Sequence, residues 1–218
     1  MAEVAVFLDR DGTVMEDVGY LDNPDRVAIF EEAIEAISAL REAGFKIVIV
    51  TNQSGLARGL FTEKTLNDIH DTLRAAFQHQ GAPLDGIYYC PHHPQAQVAR
   101  FRRHCNCRKP EPGLLRRAAE QLEIDLGRSY MIGDKVADVI AGHRAGCRSV
   151  LVRTGEGERA LERLEKGQVK TPEPSSSSSS NSGSKRRSPE EPDYVASNVL
   201  QAAEWILEDR RRRKGDNG

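Results

Sequence analysis

Two aspartates, two residues apart, follow an apolar segment near the N-terminus. The segment Val4–Leu8 is rich in β-prone residues, and the sequence DRDGT, from Asp9 to Thr13, comes directly after it. Alternate side chains of a strand point to the same side, so Asp9 and Asp11 are expected to converge at the carboxyl edge of a sheet. Close carboxylates repel each other unless a cation or a shared proton lies between them, which predicts metal-dependent or acid/base chemistry. An ordinary turn is the alternative, because Asp and Gly are common turn residues.

Polar residues also follow two later strand patterns. Thr51–Gly55 comes after the apolar pattern Lys46–Val50 and offers a hydroxyl group and backbone N–H groups, which suit an anion, although the same residues fit an ordinary strand-to-helix turn. After the pattern Tyr130–Gly133, Asp134 could complete an oxygen-rich Mg²⁺ site with the first two aspartates. Asp138, one helical turn later, fits either that site or the first turn of a helix.

A basic pair precedes one of the predicted helices. Arg108 and Lys109 stand just before Pro110, and the helix pattern begins at Gly113. A lysine in this position can reach a phosphate at the sheet edge as a point charge. The alternative is a basic pair on the protein surface, with no role in binding.

Strand patterns alternate with helix patterns along most of the chain, which predicts an α/β fold: three α/β/α layers around a mostly parallel sheet. The strands are expected at Val4–Leu8, Lys46–Val50, Gly86–Tyr89, Tyr130–Gly133, Ser149–Val152 and Asp193–Val195. The helices are expected at Glu31–Ala43, Glu63–His79, Gly113–Leu122, Val136–Arg144 and Asn198–Glu208.

The length of 218 residues suits one α/β domain, and the net charge of −2 does not point to nucleic acid. We expect a core at 1–166, a disordered Ser-rich insertion at 167–192, a final strand and helix at 193–209, and a basic tail at 210–218. The basic runs at 185–187 and 210–214 are expected to be solvated. A membrane helix and a signal peptide are not expected, so a cytoplasmic location is predicted.

Three of the four cysteines cluster with a histidine. Cys90 and His92 are followed by a loop rich in Arg and Gln, and then by Cys105 and Cys107. Three thiols and one imidazole make a closed tetrahedral Zn²⁺ site of the structural kind. The loop has few large apolar residues, so a metal could supply the stability that it does not have alone. His93 is an alternative to His92 as the ligand.

The strand ends together carry Asp/Asp, Thr, Lys and Asp in chain order, and this set resembles the motifs of the haloacid-dehalogenase (HAD) superfamily of phosphatases. The resemblance implies that Asp9 is a nucleophile that forms an aspartyl-phosphate, and that Asp11 is the general acid and base. It also implies that Thr51 and Lys109 hold the phosphoryl oxygens. Mg²⁺ would be bound by Asp9, the backbone carbonyl of Asp11, and Asp134.

The cysteine loop resembles that of zinc-bearing HAD phosphatases that act on heptose 1,7-bisphosphate. That family removes the 7-phosphate, and the resemblance implies a capless enzyme whose loops shape specificity. It implies substrate contacts at Asp17, Gly19, Tyr20, Asn52, Gln53, Ser54, Arg108 and Lys135. A phosphorylated sugar is thus the expected partner, with no nucleic acid or membrane, and the protein is expected to be a monomer. Histidinol-phosphate phosphatase, DNA 3′-phosphatase and a non-catalytic zinc-clipped binding module are the alternatives.

Overall fold

Six parallel strands form one sheet in a computed structural model of the protein, which describes residues 2–169 and 188–215. The strands are β1 (Ala5–Leu8), β2 (Lys46–Asn52), β3 (Gly86–Cys90), β4 (Tyr130–Gly133), β5 (Arg148–Val152) and β6 (Tyr194–Ala196). Their order is β3-β2-β1-β4-β5-β6, and every neighbouring pair is parallel. The predicted α/β fold with a parallel sheet is therefore confirmed.

Helices cover both faces of the sheet and complete the three layers. They are α1 (Glu31–Glu42), α2 (Ser54–Arg58), α3 (Glu63–His79), α4 (Gly113–Leu122), α5 (Val136–Ala145), α6 (Gly157–Glu165) and α7 (Val199–Gly215). Side chains of α1, α3 and α7 share one apolar cluster with β1, whereas α4 and α5 contribute to a second cluster on the opposite face. Helix α6 packs against α5 and β5 in a smaller cluster.

Strand β1 lies in the middle of the sheet and is buried on both sides. Val6 and Leu8 face the cluster of α1, α3 and α7, while Ala5 and Phe7 face that of α4 and α5. This explains why the β1 sequence is apolar throughout rather than alternating. The chain continues from β1 to β2 on one side and later returns to β4 on the other, so the strand order reverses at β1. Open α/β sheets bind their ligands at the carboxyl edge of such a reversal point.

Most elements agree with those predicted from the sequence, but three helices differ. Two helices, α2 and α6, were not predicted. Helix α6 carries few apolar residues, and the segment Thr154–Gly157 before it has the composition of a turn. The last helix does not end at Glu208 but continues to Gly215, so the described part of the expected basic tail is helical. Residues 170–187, which make up most of the expected disordered insertion, lie outside the described residues.

The segment after the insertion is bound to the core by polar and aromatic contacts. Asp193 accepts hydrogen bonds from Arg148 Nε (3.1 Å) and from the backbone N–H of Ser149 (2.8 Å). The Trp205 ring of α7 stacks on Tyr194 with 5.1 Å between ring centroids, and the guanidinium of Arg148 lies 4.7 Å from the same ring. These contacts attach β6 and α7 to the edge of the sheet.

The carboxyl edge of the sheet is not covered by a separate cap domain in the described residues. Residues 14–30 contain isolated bridges and one 3₁₀ turn, and residues 53–107 contain α2, α3, β3 and the cysteine loop. In the described part of the chain, no helix is both long enough and apolar enough to cross a bilayer.

Candidate active site and metal centres

Three buried aspartates meet at the carboxyl edge of the sheet. Asp9 follows β1 and Asp134 follows β4, and the parallel pairing of Leu8 with Ile132 brings the two strand ends side by side. Asp138 reaches the same point from the first turn of α5. One carboxylate oxygen from each aspartate lies within 4.8 Å of the others. The predicted convergence of Asp9 and Asp134 is thus present in the structure, whereas the side chain of Asp11, which was expected to converge with that of Asp9, is not part of this cluster.

The ammonium group of Lys109 lies between two of these carboxylates. Its Nζ donates to Asp9 Oδ1 over 2.7 Å and to the Val50 carbonyl oxygen over 2.7 Å, and it lies 2.6 Å from Asp138 Oδ1. Burial acts to lower the pKa of Lys109, but the charges of Asp138 and Asp9 outweigh it, and the pKa is raised. For Asp9, burial acts to raise the pKa, and the charges of Lys109 and Lys135 bring it below its usual value. Lys109 and Asp9 therefore form an ionised pair.

Asp134 is the carboxylate that this ammonium does not contact. Its Oδ2 accepts a hydrogen bond from the backbone N–H of Glu156 over 2.8 Å and lies 3.4 Å from Lys135 Nζ. Its Oδ1 is buried and has no hydrogen-bond partner. Burial raises its pKa to about 8, and the negative charges of Asp9 and Asp138 add to this effect. A small cation with oxygen ligands would satisfy this orphaned oxygen and relieve the repulsion, so the site fits Mg²⁺.

Asp138 occupies both of the positions that the sequence left open, since it lies beside the carboxylate site and in the first turn of its helix. Its Oδ2 accepts from the backbone N–H of Lys135 over 3.0 Å, in a capping box that starts α5. Its Oδ1 pairs with Lys109 and belongs to the carboxylate cluster.

The side chain of Asp11 turns away from the other three carboxylates. Its Oδ2 accepts from Gln53 Nε2 over 3.0 Å, and the same nitrogen donates to Thr51 Oγ1 over 2.8 Å. Its Oδ1 forms a salt bridge with Arg10 at 2.9 Å. Burial raises the pKa of Asp11, and the nearby charge of Asp9 acts in the same direction. A carboxyl group with a raised pKa is suited to hold a proton and donate it.

Some residues predicted to bind substrate have contacts of their own in the structure. The side-chain amide of Asn52 donates to the Lys109 carbonyl oxygen (3.0 Å) and accepts from the Lys109 N–H (3.1 Å), so it fixes the lysine loop. Ser54 is the first residue of α2. Arg108 Nη1 donates to the carbonyl oxygen of His92 over 3.3 Å, which places Arg108 between the cysteine cluster and Lys109.

The residues predicted to form a substrate flap lie near the rim of the site. Asp17 Oδ1 accepts from the Gly19 N–H over 2.9 Å, and Gly19 has a positive φ of 79° that favours glycine. Lys135 Nζ lies 3.4 Å from Asp17 Oδ2. The Tyr20 ring is 45% exposed, with the Arg58 guanidinium 5.9 Å from its centroid. The flap therefore offers an exposed aromatic surface beside a charged site.

Cys90, His92, Cys105 and Cys107 form a second cluster, at the end of β3. The three sulfur atoms lie 3.2 to 3.6 Å apart, and His92 Nδ1 is 3.3 Å from Cys107 Sγ and 3.7 Å from Cys90 Sγ. Zn–S bonds of about 2.3 Å in tetrahedral geometry place sulfurs roughly 3.8 Å apart, so a small expansion of this cluster would fit one ion. His93 lies outside it, because its Nδ1 accepts from the Gln95 N–H.

The loop after β5 is also part of the site, although its sequence pattern did not predict this. Thr154 Oγ1 donates to the Gly12 carbonyl oxygen over 2.6 Å, and Glu156 binds Asp134 through its backbone. Gly155 lies so close to Asp134 Oδ2 that a Cβ atom would collide with it. The position of Thr154–Gly157 at the carboxyl end of β5, on the same edge as the aspartates, is the signal that could have indicated it.

Several known proteins are similar to this chain. Residues 106–174 match the sequence model of HAD-hydrolase-like proteins. A D-glycero-β-D-manno-heptose-1,7-bisphosphate 7-phosphatase of Yersinia pestis is 47% identical over 164 residues, which span 72% of this chain and 87% of that protein. The enzyme of that name from Escherichia coli K12 is 47% identical over 153 residues, or 70% of this chain and 80% of that protein.

Solved structures give the same result. A D,D-heptose 1,7-bisphosphate phosphatase from B. bronchiseptica, complexed with magnesium and phosphate, has a TM-score of 0.73 and 34% identity, and the match covers 94% of this chain and 99% of that one. The parallel sheet, the aspartates and the lysine at its carboxyl edge, and these matches define a hydrolase of the HAD class. Within that class, the chain belongs to the family of the D-glycero-β-D-manno-heptose-1,7-bisphosphate 7-phosphatases.

Replacing Gly155 with Ala is expected to displace Asp134. The added Cβ would meet Asp134 Oδ2, and the φ of 58° at this residue is itself unfavourable for Ala. Because displacements of about 1 Å at a site can cost roughly 100-fold, we expect phosphatase kcat to fall at least about 10-fold. Steady-state phosphate release checks this.

Gly167→Ala is the matched control, since Gly167 has a φ of 61° but no neighbouring atom within 4 Å of the added Cβ. The control should keep its activity while sharing the backbone strain. An equal loss in both variants would show that strain, rather than the contact with Asp134, is responsible.

Proposed function

We propose that the protein hydrolyses the phosphate at C7 of D-glycero-β-D-manno-heptose 1,7-bisphosphate and leaves the heptose 1-phosphate. The observation that carries the proposal is the buried, ionised Asp9 beside Lys109, with the carboxyl group of Asp11 two residues later, in a chain 47% identical to relatives of that name. The β configuration follows the names of the relatives.

The chemistry is assigned to Asp9 and Asp11. An oxygen of Asp9 attacks the phosphorus atom, the bond from phosphorus to the sugar oxygen breaks, and Asp11 gives its proton to that oxygen. Asp11, now ionised, takes a proton from a water molecule as the water oxygen attacks the aspartyl-phosphate. The bond between Asp9 and phosphorus then breaks and phosphate is released.

Other groups hold the phosphoryl group during both steps. Thr51 and Lys109 would contact its oxygens, and Lys109 would also keep Asp9 ionised. Mg²⁺, held by Asp9, the Asp11 carbonyl and Asp134, would neutralise negative charge on the transferring group. The orphaned Oδ1 of Asp134 supports this assignment.

Recognition of the sugar is assigned to the rim of the site. Arg108 has a planar fork suited to a second phosphate, and it extends from the cysteine cluster that supports its loop. Tyr20 offers an exposed ring for the sugar. The remaining proposed contacts are Asp17, Gly19, Asn52, Gln53, Ser54 and Lys135.

The geometry favours this function over its alternatives. Histidinol phosphate carries one phosphate, so it would leave Arg108 without an anionic partner. For DNA, the basic residues of α7 would have to lie near Asp9, but Arg210 donates to the carbonyl oxygen of Ala43, where α1 ends and β2 is about to begin. This is the edge of the sheet opposite the carboxyl ends of the strands. A non-catalytic module is disfavoured because the nucleophile, the acid and the lysine are all present.

The cysteine cluster is proposed to hold a structural Zn²⁺ ion. Three sulfurs and one imidazole nitrogen leave no open position on a tetrahedral ion, so its role is to support the loop that carries Arg108 and Lys109. A cytoplasmic location is part of the proposal, because these thiols need a reducing environment.

The substrate assignment predicts a clear order of kcat/KM values for phosphate release with Mg²⁺. The heptose 1,7-bisphosphate should exceed histidinol phosphate and a 3′-phosphorylated oligonucleotide by about 100-fold or more, since one well-placed group can discriminate by that amount. Asp9→Asn should abolish release from all three. A preference for histidinol phosphate would overturn the substrate while keeping the chemistry, and activity remaining in Asp9→Asn would overturn the chemistry.

The zinc assignment predicts that Cys107→Ser loses metal and stability together. Zinc content should fall from about one ion per chain to nearly none, and the melting temperature should fall by roughly 10 °C, because metal binding in such sites contributes directly to folding. Elemental analysis and thermal denaturation measure both. Cys147→Ala, at a buried thiol outside the cluster, should keep its zinc. A Cys107→Ser protein with full zinc content would contradict the assignment.

A further inference from the structure

Asp11 is connected to a buried histidine of α3 through Arg10. Arg10 Nε and Nη2 both donate to Asp11 Oδ1, over 3.1 and 2.9 Å. Arg10 Nη1 lies 3.3 Å from His70 Nε2. Arg10 is 1% exposed and His70 is 3% exposed, so solvent cannot replace either partner. The three side chains form a continuous chain of contacts from a core helix to the proposed general acid.

The proton positions in this chain follow from its donors and acceptors. All the N–H groups of a guanidinium are donors, so His70 Nε2 must accept with its lone pair. Burial lowers the pKa of His70 to about 3, and the charges of Arg10 and Arg74 add to this effect. The ring is therefore neutral near pH 7 and carries its hydrogen on Nδ1.

The contacts also distinguish the two oxygens of Asp11. Two donors from Arg10 occupy Oδ1, so the proton that Asp11 exchanges with the substrate belongs on Oδ2. Gln53 Nε2 contacts Oδ2 and also Thr51 Oγ1, which places this oxygen next to the proposed phosphoryl site. The orientation of the Arg10 guanidinium therefore decides which way Asp11 Oδ2 faces.

We propose that His70 is a positioning residue for the general acid: it fixes the Arg10 guanidinium, which in turn presents Asp11 Oδ2 to the leaving oxygen. The inference rests on the proposed phosphatase chemistry, and His70 itself does not touch the substrate. Without an acceptor at this position, Arg10 Nη1 would be a buried donor with no partner on that side, which is unfavourable. The guanidinium would turn to another acceptor, and Asp11 would turn with it.

A misplaced general acid affects substrates unequally. The value of kcat/KM reports the steps up to departure of the alcohol, because phosphorylation of Asp9 releases it. A sugar alkoxide is a poor leaving group and needs the proton of Asp11, whereas 4-nitrophenolate leaves without one. Loss of positioning therefore lowers kcat/KM for the sugar phosphate and largely spares 4-nitrophenyl phosphate.

The test compares His70→Phe with His70→Gln on these two substrates. Phe removes the acceptor, and kcat/KM for heptose 1,7-bisphosphate should fall roughly 10- to 100-fold, a part of what general acid catalysis contributes. The fall on 4-nitrophenyl phosphate should stay within about 3-fold, since that reaction does not need the acid. Gln places an amide oxygen near the position of Nε2 and should restore most of the loss.

Ile69→Val is the matched control for stability, because Ile69 is a buried neighbour on α3 that contributes to the apolar core. It should keep the wild-type ratio of the two kcat/KM values. Equal losses of His70→Phe on both substrates, or a Gln variant as impaired as the Phe variant, would overturn the positioning role. A wild-type protein that releases phosphate from neither substrate would instead overturn the proposed function.

A second measurement needs no variant and decides the case if His70→Phe does not fold. Two-bond ¹H–¹⁵N NMR spectra of the ¹⁵N-labelled wild-type protein near pH 7 report which ring nitrogen carries hydrogen. The inference requires the Nδ1–H tautomer, with an unprotonated Nε2. A spectrum with hydrogen on Nε2, or with an imidazolium, would overturn it, because Arg10 could not then donate to His70.

Discussion

One buried ammonium group holds the site together. Lys109 Nζ lies 2.7 Å from Asp9 and 2.6 Å from Asp138, and all three side chains are almost wholly buried. Removing one partner from a buried ion pair typically costs about 3–5 kcal/mol, because a charge is left without compensation. Here, removal of Lys109 would leave two carboxylates without this compensating charge. The same interaction has a chemical consequence, since it lowers the pKa of Asp9 and keeps the proposed nucleophile ionised.

The rest of the fold delivers this ammonium to its partners. The central strand places Asp9 at the point where the strand order reverses, and β4 places Asp134 beside it. Lys109 comes from a loop that is not part of the sheet, so its position depends on contacts at both ends. Asn52 binds its backbone on one side, and the cysteine cluster fixes Cys107 on the other. A structural metal in that cluster would therefore act on catalysis through the lysine loop.

The sequence predicted the features that depend on local pattern. The apolar strands, helices such as Glu63–His79, and the polar residues at the ends of β1, β2 and β4 were all predicted from spacing. Lys109, which was expected at a strand end, lies instead in the loop before α4. Features that depend on tertiary packing were not. Arg10 lies between the two aspartates of the motif, and only the fold shows that it is buried against His70. The loop Thr154–Gly157 has an ordinary turn composition, and its role appears only when β5 places it against Asp134.

The central claim is that Asp9 is the ionised nucleophile of this site. Rapid acid quenching during turnover of heptose 1,7-bisphosphate, followed by peptide mass spectrometry, tests it most directly. The measurement should be made on the native protein and on Asp11→Asn, in which the aspartyl-phosphate should persist because its hydrolysis lacks a base. The account predicts a phosphoryl group on Asp9 and nowhere else. A phosphoryl group on another residue, or turnover with unmodified Asp9 in both proteins, would contradict it.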